Sequence, residues 1–291
     1  MNNLKQVTII GVGLIGGSLA AAFQRENICQ KIVGVDVNRK SLKEAQSRGI
    51  IEQGYTDLKK GLKNADLIVI AVPVSNISNI LNEVQKYAKS GSLVFDVGSI
   101  KGDVIKQAKQ LIKARPELNF IGGHPMAGSE KAGVHWADPD IFLDAPFILV
   151  PLKETAETEV TNLSNIIDKI GSNVKVMREK KHDLLVGYIS HLPHLIAFSL
   201  INNISGCNDS HKIFDLAAGS FNDTTRIAAS SPKLWVDICI SNRENLEQIF
   251  DDYLEELVQV KEMLANEDRT ALYAYFQKAH QFKNKLLQEE K

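Results

Sequence analysis

His124 lies in the stretch GGHPMAGSE (122–130), an imidazole among glycines with a proline directly after it. Pro125 fixes its own φ and biases the residue before it away from helical backbone. Flanking glycines let backbone approach a ligand closely. An imidazole of ordinary pKa, about 6.5, accepts a proton near neutrality, so a reaction using it as base would gain kcat/KM through about pH 6–7. A loop histidine bonded to its own backbone has the same local sequence. Arg226 follows Asp223 by three residues in AAGSFNDTTRIAASSPKLW (217–235), a segment otherwise built largely of small residues. A planar guanidinium clamps carboxylates, and a nearby Asp can orient it; the alternative is a surface pair worth little. His191 and His194 share a helix face in SHLPH (190–194), as a packing pair or as pocket residues. On a straight helix His182 would lie about 120° around from His194, and Pro193 can kink it. With no H-E-x-x-H and no clustered Cys/His spacing, no metal centre is expected.

These groups need a partner, and the N-terminus offers one. Gly11-Val12-Gly13-Leu14-Ile15-Gly16 closes an apolar strand and opens a helix. In that context the first glycine makes the tight turn, the second admits a pyrophosphate, and the third lets helix and strand pack closely. The helix N-terminus supplies free N–H groups to the anion. Asp36 ends the next strand, 20 residues after Gly16, where an acid bonds adenosine ribose hydroxyls. NAD is the expected cofactor. Arg39 and Lys40 follow closely and keep NADP open. Val72 and Pro73 end a third strand, and Ser99 in GSIK (98–101) ends a fourth, near the nicotinamide half. Such carboxyl edges are where open α/β sheets bind ligands.

The elements that must position these residues divide the chain in two. Strand-like runs at 6–12, 31–37, 66–72, 92–97, 119–123, 146–151 and 173–177 alternate with helical patterns. Most are continuously apolar, as a sheet covered on both faces requires. The expectation is an α/β fold: an N-terminal Rossmann-type, mostly parallel sheet domain over 1–178, then an all-helical domain over 179–291. The chain has 291 residues, 44% hydrophobic and 24% charged, with net charge −1. That balance suits a globular protein and argues against nucleic-acid binding or a polybasic membrane anchor. Three scattered cysteines fit a reducing compartment. With no signal-peptide layout and no apolar run read as a membrane span, a cytoplasmic protein is expected.

Together GVGLIGGSLA, DVGSIK, GGHPMAGSE, SHLPH and GSFNDTTRIAASSPKLW resemble the prephenate/arogenate dehydrogenase family of tyrosine biosynthesis, in order over nearly the whole chain. The resemblance implies an NAD-binding domain followed by a helical dimerisation domain, and hence a homodimer. It implies hydride transfer from C4 of a cyclohexadiene to NAD+, with loss of the ring carboxylate as CO2. Prephenate gives 4-hydroxyphenylpyruvate and arogenate gives tyrosine; prephenate is favoured because His194 is present, with arogenate or dual cyclohexadienyl specificity as the alternative. His124 matches the family's catalytic base, and Ser99 the serine that positions the reacting hydroxyl. Arg226 matches the carboxylate-binding arginine, with Asp223 orienting it. His194 matches a histidine near the substrate side chain. His182 and Trp235 match pocket or gate positions, and Gly219 allows close approach. Asn222 stands where several members carry a basic residue. No room is expected for a fused mutase or ACT domain. A two-domain 3-hydroxyacid or 6-phosphogluconate dehydrogenase would need a catalytic Lys–Asn pair that 180–194 does not supply. A non-catalytic NAD sensor would not need His124, Ser99 and Arg226 together.

Overall fold

The computed structural model describes residues 4–128 and 131–289. Ser129 and Glu130 of the histidine stretch lie outside them. The chain forms two compact units, residues 1–243 and 244–291.

In the first unit, eight strands form one sheet: β1 (Val7–Ile10), β2 (Ile32–Val35), β3 (Gln53–Tyr55), β4 (Leu67–Ile70), β5 (Leu93–Asp96), β6 (Asn119–Pro125), β7 (Pro146–Pro151) and β8 (Asn173–Val176). Their order is β3-β2-β1-β4-β5-β6-β7-β8. The helices between them are α1 (Leu14–Arg25), α2 (Arg39–Ser47), α3 (Leu58–Leu62), α4 (Val74–Tyr87), α5 (Gly102–Ala114) and α6 (Glu157–Lys169). The first six strands run parallel in the Rossmann order, which reverses direction beside β1. β7 is antiparallel to β6. Among its described residues the β6–β7 connection carries short 3-10 turns, Val134–Trp136 and Pro139–Phe142, and no crossover helix that would return the chain in parallel.

Alternating residues of each strand point to opposite faces. Ile9, Val69, Phe95 and Leu149 pack with Leu19 and Phe23 of α1 and Ile167 of α6. Ile10, Ile70, Val94 and Val150 pack with Leu81 of α4 and Leu111 of α5 on the other side. That double cover is why the strands read as continuous apolar runs. β3 was not expected from the sequence: its residues, Gln-Gly-Tyr, are polar or half-buried and sit at the sheet edge.

From Glu179 onward every described element is helical: α7 (Glu179–Val186), α8 (Leu192–Ser205), α9 (Ser210–Asp215), α10 (Gly219–Thr225), α11 (Pro232–Ser241), α12 (Arg243–Ala265) and α13 (Arg269–Glu289). The first compact unit continues past residue 178 because α7 and α11 are tied to the sheet domain. The Asp183 carboxylate caps α5, Ser75 donates to Asp237, and Ile100 packs with Trp235 and Ile238. A π-helical turn, Gly187–His191, joins α7 to α8. The span 179–205 is, by length and composition, apolar enough to cross a membrane, against the expectation that no apolar run approaches such a length. Asp183 and the three histidines on this span are hydrogen-bonded to protein groups, as a helix of a folded domain requires.

The second unit is a helical hairpin. Tyr275 of α13 meets Glu256 of α12. Leu254, Leu257, Val258, Tyr273, Phe276 and Phe282 are exposed large apolar side chains on it.

Candidate active site

The glycine loop follows β1. Gly11 has φ +92°, and a β-carbon there would overlap the Ala71 carbonyl. A β-carbon on Gly16 would overlap the Gly11 carbonyl. Above Gly13, which opens α1, space is clear, and no side chain caps the helix. Leu14 and Ile15 form its first turn, leaving N–H groups to meet an anion. Asp36 is fixed beside this loop: Oδ2 accepts the Val12 N–H at 2.8 Å and Oδ1 the Asn38 N–H at 2.7 Å. Val72 and Pro73 follow β4, across the switch point from the glycine loop. These residues fit a dinucleotide: a backbone cradle no larger residue could form, an anion-binding helix end and a carboxylate at the tip of β2.

His124 is in strand β6, paired with Ile148, and not in a loop. Its glycines are needed for packing. A β-carbon on Gly123 would sit 2.5 Å from the Asp96 carbonyl, and one on Gly122 would sit 3.0 Å from Lys101 Cδ. The strand thus slides against the β5–α5 connection, which carries Ser99. That connection is anchored by a buried ion pair between Asp96 and Lys101, both fully inaccessible. Asp96 also accepts the Gly98 N–H at 2.8 Å.

A cavity of about 380 Å3 opens here, lined by Ser99, His124, His191, His194, Arg226 and Trp235, among others. Two structural elements bring the helical residues to the sheet edge. The π-helical turn lets Pro193 sit inside the 179–205 span and turns His191 inward, 1% exposed. The His194 ring stacks on Trp235, with centroids 3.8 Å apart, and its Nδ1–H donates to the Ser190 carbonyl at 2.8 Å. Asn242 donates one amide N–H to the Asp183 carbonyl at 2.9 Å and the other to His191 Nδ1 at 3.0 Å.

Burial, with nearby His182, Lys101 and His191, holds the His124 pKa well below the ordinary histidine value. Burial pushes His191 down to about 4. Burial and the Arg226 cation lower His194 against the opposing Ser190 bond. At neutral pH the cavity therefore presents uncharged imidazoles beside one guanidinium. That suits proton acceptance next to an anionic ligand. Burial in the strand moves the expected acid limb of kcat/KM below the pH 6–7 read from the sequence.

Of the residues expected at a substrate site, Ser99, His124, His194, Arg226 and Trp235 converge. His182 does not reach the cavity: it is fully buried behind His124, its Nε2 2.8 Å from His124 Nδ1 and its Nδ1 2.7 Å from Asp183 Oδ1. Asp223 is exposed on α10, outside the cavity lining. Gly219 opens α10 away from the cavity lining, where a β-carbon would meet nothing. The sequence reading missed Asp183, Asn242, Lys101 and the inward role of His191. Only the π-helical turn and long-range pairing reveal them.

Comparison with known proteins places this arrangement. Residues 19–176 match the prephenate dehydrogenase nucleotide-binding domain and residues 178–278 the prephenate dehydrogenase dimerization domain. The prephenate dehydrogenase of Bacillus subtilis is 34% identical, over 98% of this chain and 77% of that protein. The cyclohexadienyl dehydrogenase of Zymomonas mobilis is 30% identical, over 96% of this chain and 95% of that one. Among solved structures, prephenate dehydrogenase from A. aeolicus in complex with hydroxyphenyl propionate and NAD+ superposes with a TM-score of 0.90 at 30% identity, over 97% and 98% of the two chains. With both domain types matched in order over most of its length, the chain belongs to the prephenate dehydrogenase family.

Proposed function

We propose that this chain oxidises prephenate to 4-hydroxyphenylpyruvate and CO2 with NAD+. The observation that carries this reading is the buried, uncharged His124 at the carboxyl edge of a nucleotide sheet, sharing one cavity with Ser99 and Arg226. NAD+, when bound along Gly11–Gly16 with its ribose at Asp36, supplies the hydride acceptor. As hydride leaves C4, the C4 hydroxyl becomes acidic. His124 Nε2 takes that proton while Ser99 holds the same hydroxyl. The ring C–CO2 bond then breaks, its electron pair aromatises the ring, and His124 returns the proton to the phenolate oxygen. Arg226 holds a substrate carboxylate, and the unprotonated His194 Nε2 faces the side chain from its stack on Trp235. Removal of water from this half-enclosed site strengthens each of these interactions.

The functional boundary falls between residues 178 and 179, supported by the change from sheet to helix there. The exposed apolar side chains of the helical half support a homodimer, and the free thiols of Cys29, Cys207 and Cys239 a reducing, cytoplasmic setting. Because one relative is a cyclohexadienyl dehydrogenase, arogenate is the second substrate. Steady-state formation of reduced nicotinamide with prephenate or arogenate, each with NAD+ or NADP+, tests the reading. The highest kcat/KM is expected for prephenate with NAD+; no turnover of either substrate would overturn the reading.

A further inference from the structure

His124 can act as a base only if its cavity-facing nitrogen lacks a proton. A neutral imidazole exists as two tautomers, and what bonds the other nitrogen chooses between them. Here that nitrogen, Nδ1, meets His182 Nε2 at 2.8 Å. One of these two nitrogens must carry the proton and the other must not.

The choice is made one residue deeper. The Asp183 carboxylate accepts three bonds: Lys101 N–H at 2.9 Å, Gly102 N–H at 2.8 Å and the His182 ring at 2.7 Å. Two of these donors are backbone N–H groups at the start of α5, at the positive end of its dipole, so the carboxylate is held in place independently of the histidine. An acceptor-only carboxylate requires the proton on His182 Nδ1. A neutral His182 then has a lone pair on Nε2, which can only accept. The His124 proton must therefore sit on Nδ1, leaving Nε2 bare toward the cavity.

We propose that His182 and Asp183 are positioning residues that fix His124 in the Nδ1–H tautomer, making it a base before substrate arrives. The inference rests on the reading of His124 as the base. The pair replaces the pocket or gate position that the resemblance implied for His182, which has no exposed surface to offer a substrate. Lys101 is fully buried in its pair with Asp96 and lies against the same cluster. The titratable groups facing His124 are thus His182 and Asp183 from α7, Asp96 and Lys101 from the β5–α5 connection, and His191 from the π-helical turn.

Two variants separate tautomer control from mere packing. His182→Leu removes the acceptor and fills the space with an apolar side chain. His182→Gln restores an acceptor oxygen facing His124 Nδ1. The expected result is a kcat loss of about 10²–10⁴-fold for His182→Leu. KM for prephenate and Kd for NAD+ should change by less than about threefold, since no ground-state contact is lost. His182→Gln should recover at least about tenfold of the lost kcat. 15N–1H correlation spectra of histidine-labelled wild-type protein at pH 7 should show His124 protonated at Nδ1 and bare at Nε2, and His182→Leu should lose that preference. A wild-type His124 protonated at Nε2, or a His182→Leu enzyme with unchanged kcat, would overturn the proposal. A wild-type enzyme that turned over no prephenate would instead overturn the functional reading, while the spectra would still report the tautomer. Should His182→Leu not fold, the wild-type spectrum decides alone.

Discussion

A side chain buried without water keeps whichever charge state costs least, and for His124 that is the neutral one. The acid limb of kcat/KM should consequently fall well below pH 6.5, and activity should persist where an exposed histidine base would already be protonated. Arg226 acts differently. It offers a fixed charge to a carboxylate in ground and transition states alike, so Arg226→Ala should raise KM for prephenate by about tenfold or more with a smaller change in kcat. A normal KM in that variant would remove Arg226 from the carboxylate site. At this scale the sequence was informative where a residue type is unusual for its surroundings. A histidine among glycines and an arginine among small residues both lead to the cavity. It was silent where the role depends on a partner far along the chain. Asp183 looks like a solvated helix acid until Lys101, Gly102 and His182 are seen around it.

Elements decide whether those side chains meet. The glycine loop was legible because each glycine answers a steric demand that leaves a fixed spacing. Gly16→Ala places a β-carbon against the Gly11 carbonyl, so α1 must shift away from the pyrophosphate position. NAD+ affinity should fall by about tenfold or more, or about 1.4 kcal/mol, in a fluorescence titration; an unchanged Kd would show that the loop does not hold the cofactor. β6 was legible as a strand but not in extent. The sequence suggested a strand over 119–123, yet pairing with β7 continues through Pro125. That two-residue extension puts His124 into the sheet and explains its burial. The π-helical turn at 187–191 was illegible, since its extra residue per turn leaves no mark on apolar spacing. It is the element that rotates His191 to the cavity.

For the whole molecule, the α/β-then-helical order was readable from the switch in periodicity near residue 178, whereas compactness follows contacts that cross it. The apolar surface left on the helices predicts a dimer, and sedimentation velocity should give twice the chain mass at micromolar concentration; a monomer would contradict it. Buried neutral histidines also tie folding to pH. Below about pH 6.5 the unfolded chain takes up protons at these positions, while folded His191 resists down to about 4. Stability is therefore fully present above about pH 6.5 and declines as pH falls, by up to about 1.4 kcal/mol per pH unit for each such histidine. Urea midpoints at pH 7 and pH 5 should differ in that direction, and a higher midpoint at pH 5 would contradict it. All of this converges on one claim, that His124 removes the C4 hydroxyl proton of prephenate as a neutral base. The most direct test is kcat/KM for prephenate with saturating NAD+, measured across pH for wild type and His124→Ala. The account predicts a wild-type acid limb below pH 6.5 and a loss of about 10²–10⁴-fold in His124→Ala with that limb abolished. A limb at or above pH 6.5, or a His124→Ala enzyme as fast as wild type, would contradict it.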